Sequence, residues 1–131
     1  MMFVIPLKTK SGNVGHGREH WAARARRVKD ERRATAWAWR QATVREWKNG
    51  RLLAPGHPYI ITLVRVAPRP LDGDNLLASL KSVRDQIAGE LDIDDGTDEA
   101  TWWYGQERGG PREYAVMVSI EPVEVVPKEK P

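Results

Sequence analysis

The chain has 131 residues, with 21 Lys/Arg, 18 Asp/Glu, no cysteine and a net charge of +3. That length predicts one domain with a hydrophobic core of its own. The absence of thiols excludes a disulfide framework, thiolate metal sites and a cysteine nucleophile, and it fits a reducing compartment.

Residues 2–7 read as a first strand, and the apolar run that opens the chain is too short for a signal h-region or a membrane span, so a soluble cytoplasmic protein is expected. Residues 8–17 carry three glycines with Ser11 and Asn13 and read as a loop. A long helix is predicted over residues 19–48, stopped by Asn49-Gly50. Trp21, Ala25, Val28, Ala36, Trp39, Thr43 and Trp47 recur on it at spacings of three and four, interrupted by Arg32. That stripe is expected to face a sheet and the arginines to face out.

Residues 59–66 form a β-branched run suited to a central strand, ended by Pro68 and Pro70. A second helix is predicted over residues 75–91, with Leu76, Leu80, Val83, Ile87 and Leu91 on its buried face. Residues 102–107 and 114–121 read as two strands joined in a hairpin at Gly109-Gly110-Pro111, and residues 123–131 as a flexible tail behind a domain of residues 1–122. The order β-α-β-α-β-β predicts an α+β fold, with both helices packed on one face of a small mixed sheet.

Charge divides this layout. Residues 18–51 hold eleven Lys/Arg against four Asp/Glu, a local +7, while residues 70–101 hold two against nine, a local −7. Either run alone is most simply a solvated face. Together they suggest a basic half that attracts a phosphate backbone and an acidic half that approaches one only through bound metal.

The acidic half is organised. Asp72-Gly73-Asp74-Asn75 stands where a strand exit turns into the second helix, and Asp94-Asp95 follows just past that helix. Mg²⁺ takes oxygen ligands, and substrate phosphates complete its shell. Two aspartates at i and i+2 of a turn, with a glycine freeing the space between them, can share one such ion, and the helix start favours phosphate. Helix capping explains one of these aspartates and explains a pair less well. Asp94-Asp95-Gly96 also reads as a turn, and it joins the site only if the strand after it folds back beside the strand before Asp72. Lys81, seven residues after Asp74, shares its helical face and can assist electrostatically; an i,i+4 pair with Asp85 is the plainer reading.

At these residues the chain resembles the RusA family of Holliday junction resolvases, especially its phage and prophage branch. The likeness extends over residues 3–121. It is carried by Asp72-x-Asp74-Asn75-Leu76, by the Asp94-Asp95 pair, and by His20-Trp21-Ala22-Ala23-Arg24 leading into a basic helix. The resemblance implies a small homodimer that binds four-way DNA junctions and nicks opposing strands in recombination and repair. It further implies Mg²⁺ (or Mn²⁺) held by Asp72, Asp74 and Asp95, with Asp94 as their neighbour at the metal, and no nucleotide cofactor. In one respect the chain departs from the family: the functional lysine four residues after the second motif aspartate is here Ala78, a role Lys81 is then expected to take. Arg24, Arg26, Arg27, Lys29, Arg32 and Arg33 are candidate phosphate contacts, and His20 either bonds a backbone group or reaches a phosphate.

Other signals carry less. His16 and His20 have zinc spacing but no third ligand, and the glycines at 12, 15 and 17 precede no Gly-Lys-Ser/Thr. A calcium loop begun at Asp92 puts Thr97 where its glycine is required. Trp37, Trp39 and Trp47 are expected in the core or a dimer interface, and one of Trp102 and Trp103 is expected to face outward. The rival readings are a non-catalytic junction- or DNA-binding protein with a lapsed metal site and, further off, a metal-dependent phosphohydrolase of small nucleotides.

Overall fold

The computed structural model describes residues 1–10, 20–50, 58–93 and 100–123. The elements are β1 (Met2–Ile5), α1 (Trp21–Lys48), β2 (Tyr59–Ala67), α2 (Gly73–Glu90), β3 (Ala100–Arg108) and β4 (Ala115–Pro122). They make a mixed α+β fold, with one four-stranded sheet of order β1-β4-β2-β3. β4 lies antiparallel to both β1 and β2, whereas β3 runs parallel to β2. The β2-α2-β3 segment is therefore a parallel crossover, the connection that a helix between two parallel strands requires.

Alternation sorts the strands into two faces. Phe3 and Ile5, Val116, Val118 and Ile120, and Tyr59, Ile61 and Leu63 are buried on one face, with Ala100, Trp102 and Tyr104 beside them. Leu76, Leu80, Val83 and Ile87 of α2 close over this face, with Leu91 packed against its margin, as their spacing predicts. The other face presents exposed Met2, Val4 and Trp103 and half-buried Thr62, Val64 and Met117. No helix of the described residues is long and apolar enough to cross a membrane.

α1 packs differently from its tryptophan stripe. Trp21 and Trp47 are exposed, as is Trp37, and Trp39 alone of the stripe's indoles reaches the core, edge-on to Phe3 at 6.2 Å. The buried residues are Glu31, Thr35, Ala38 and Ala42. Small side chains let the helix approach the sheet closely, and the two polar residues are engaged within the helix: Arg27 donates to Glu31 Oε1 at 2.8 Å, and the Thr35 hydroxyl donates to the Glu31 carbonyl at 2.8 Å. An indole in place of Ala38 or Ala42 would overpack that contact.

The expected β3–β4 hairpin does not form, because β2 lies between the two strands. The connection instead crosses the end of β2, where Gly109 donates to the Ala67 carbonyl at 2.9 Å. A side chain at Gly109 would meet Val66 and the Glu113 carbonyl at 3.0 Å, so at this close crossing a Cβ would push its neighbours back by a few tenths of an ångström.

Candidate metal and nucleic-acid site

Four residues link the end of β2 to the motif, and two of them, Pro68 and Pro70, have no backbone N–H to continue the ladder. Three of the remaining groups are held by side chains. Arg65 donates to the Arg69 carbonyl at 3.0 Å. Gln106 of β3 accepts from the Leu71 amide at 3.0 Å and donates to the Leu71 carbonyl at 2.9 Å. Arg65 and Gln106 are register partners across β2 and β3, so both grip the loop from the same sheet face.

Asp72 follows at once as the N-cap of α2, and its carbonyl accepts from Leu76 at 2.7 Å. The side chain of Asp72 makes no capping hydrogen bond, which leaves helix capping without a role for this carboxylate. Asp74 lies in the first turn of α2, which begins at Gly73, two residues before the predicted helix start. Both carboxylates are exposed, and neither enters an ion pair with a described residue. Gly73 has no left-handed backbone, and a side chain there would meet nothing within 4 Å, so the turn itself does not require a glycine.

Asp94 and Asp95 lie outside the described residues. The expected neighbour relation holds, since β3 does lie beside β2, but its direction places the flanking residues at the other end of the sheet. Ala100 pairs with Tyr59 at the start of β2, whereas Asp72 follows its end. Ile93 closes the far end of α2, donating to Ala88 at 2.9 Å beyond Asp92, whose φ is 54°. An 18-residue helix is about 27 Å long. Among the described residues no group of three His, Cys, Asp or Glu side chains converges. Two free aspartate carboxylates nevertheless suit Mg²⁺, which keeps several waters and takes one or two carboxylates plus substrate phosphate.

Lys81 is exposed, and its ammonium lies 3.1 Å from the Asp85 carboxylate, the plainer of the two sequence readings. Ala78, where the resembled family carries its lysine, is exposed on the same helix.

The basic helix divides by environment. Arg24, Arg26, Lys29, Arg32 and Arg33 are exposed, whereas Arg27 is largely covered and engaged with Glu31. Lys29, Arg32 and Arg33 line a shallow groove of about 460 Å³ with Ala25, Val28 and Gln86, between α1 and α2. Arg32 donates to Gln86 at 2.9 Å across it. His20 caps α1, its Nδ1 accepting from Ala22 at 3.2 Å, so its ring is bound to the backbone.

Three residues of this region were not singled out from the sequence. Gln106 gave no signal, since its partner is 35 positions away. Arg84 donates to the Tyr104 hydroxyl at 2.6 Å and lies over the Trp102 ring, bridging α2 to β3. Arg65 did give one: a charge inside a β-branched run. It is buried, no ion pair joins it to a described carboxylate, and burial holds its guanidinium below the usual arginine range, an effect the nearby Tyr114 opposes.

No protein-family model matches the chain, and no curated protein or solved structure matches it.

Proposed function

We propose that the protein is a Mg²⁺-dependent, structure-selective endonuclease acting on branched DNA, with the four-way junction as its substrate class. The observation that carries this reading is the pair of exposed aspartates at the start of α2: the Asp72 side chain makes no capping hydrogen bond, and neither Asp72 nor Asp74 is paired with a cation among the described residues. An aspartate pair left free at the mouth of a rigidly held loop suits a metal ligand better than it suits a structural role. Asp72 and Asp74 would hold the ion, which supplies an activated water and charge stabilisation for phosphodiester hydrolysis.

The exposed cations of α1 support the substrate class. Lys29, Arg32 and Arg33 converge on one groove, a surface suited to a phosphate backbone. Gln86, on the α2 side of that groove, is twelve residues from Asp74, about 18 Å along the helix.

A homodimer is part of the proposal. Paired cuts on opposing strands need two sites related by a two-fold axis.

One observation favours the rival reading of a non-catalytic junction binder: Ala78 offers no cation, and Lys81 is engaged with Asp85. Nicking of a synthetic four-way junction in Mg²⁺ or Mn²⁺, with linear duplex as control, separates the two. The endonuclease cuts the junction; the binder shifts it in a gel and leaves it intact at either metal.

A further inference from the structure

We infer that Gln106, seconded by Arg65, is a positioning residue for the Asp72 carboxylate, acting through Leu71; this rests on the metal-site reading of Asp72 and Asp74. Between Ala67 and Asp72 only Arg69 and Leu71 have backbone N–H groups, because residues 68 and 70 are proline. Such a segment cannot join the sheet, and its path is otherwise set only by the fixed φ of the prolines. Gln106 supplies what the ladder cannot. Its amide accepts from Leu71 N–H at 3.0 Å and donates to Leu71 C=O at 2.9 Å, so one side chain satisfies both backbone groups of the residue before Asp72.

Arg65, its register partner, holds the Arg69 carbonyl at 3.0 Å two residues earlier. On the other side of Asp72, the helix bond from Leu76 at 2.7 Å fixes the Asp72 carbonyl. The backbone of Asp72 is thus pinned before and after, while its carboxylate stays free. Groups that hold a metal ligand in place act on affinity even though they never touch the ion, and their loss typically weakens binding by about 10- to 100-fold.

A purely stabilising role predicts something different. Gln106 is exposed, and hydrogen bonds made in contact with water add little net stability. Its removal should therefore move metal affinity far more than it moves the melting temperature.

The test uses the full chain and Mn²⁺ as the probe. Mn²⁺ affinity is measured by titration calorimetry or by the loss of free Mn²⁺ paramagnetic signal, for the wild type, Asp74→Asn, Gln106→Met and Gln106→Asn. Hydrogen exchange of the Leu71 amide is followed alongside. The inference expects Gln106→Met, which keeps the bulk and loses both bonds, to bind Mn²⁺ about tenfold or more weakly. It also expects faster Leu71 exchange and a melting temperature within a few degrees of wild type. Gln106→Asn, one methylene too short to reach, should behave alike and serves if the Met variant does not fold. Wild-type Mn²⁺ affinity in both variants overturns the inference and leaves the metal site standing. Failure of the wild type itself to bind Mn²⁺, or binding indifferent to Asp74→Asn, overturns the metal-site reading and the inference with it.

Discussion

On α2 the Lys81 ammonium lies 3.1 Å from the Asp85 carboxylate, one turn further along the helix and away from Asp74. The pair is water-exposed, and such pairs contribute about 0–1 kcal/mol, so Lys81 can leave Asp85 for a phosphate at little cost. Lys81→Ala should change stability by less than about 1 kcal/mol in urea denaturation. If Lys81 serves the reaction, the same substitution lowers junction cleavage on the order of a hundredfold. Cleavage at the wild-type rate would remove Lys81 from the site.

Gly73 tests whether the opening between the two aspartates is there for the fold or for a ligand. Its backbone is ordinary and a methyl group would touch nothing, so Gly73→Ala should stabilise α2 by about 0.5 kcal/mol. A rise in melting temperature together with weaker Mn²⁺ binding would assign the glycine to the site. A fall in melting temperature would contradict the conformation described for this turn.

The arginines of α1 should separate into two behaviours. Arg32→Ala and Arg33→Ala remove groove cations, so each should lower junction affinity and reduce the slope of log K against log salt by about 1, with little effect on folding. Arg27→Ala should act on stability instead, because it takes the 2.8 Å guanidinium from Glu31, whose side chain is only 2% exposed. Losing one partner of a buried pair costs about 3 kcal/mol. A denaturation midpoint unchanged in Arg27→Ala, or a salt slope unchanged in Arg32→Ala, would each contradict the assignment.

The parts of this fold that could be read in the sequence are those whose signal is local. Leu76, Leu80, Val83, Ile87 and Leu91 repeat at helical spacing, and all of them meet the core. β2 is a β-branched run and became an inner strand. α1 misled because alanines and tryptophans occupy several phases of an arginine-rich helix. The tryptophans dominate by hydropathy, yet the sheet accepts the close approach of Ala38 and Ala42.

The Gly109-Gly110-Pro111 turn suggested a hairpin because adjacent strands usually pair, whereas the insertion of β2 between β3 and β4 is decided by long-range packing. Of the candidate site, Asp72 and Asp74 were legible from their spacing. The Gln106 clamp on Leu71 joins residues 35 apart, and no window of sequence contains it.

The central claim is that Asp72 and Asp74 hold a metal that cuts branched DNA. It is tested most directly by incubating the purified protein with an immobile four-way junction in Mg²⁺, beside Asp74→Asn and a chelator control. The account predicts symmetric, ligatable nicks on the junction and none on linear duplex. Cleavage should be abolished by chelation and by Asp74→Asn, while junction binding in the mutant persists. Binding without nicks in either Mg²⁺ or Mn²⁺, or nicks undiminished in Asp74→Asn, would contradict it.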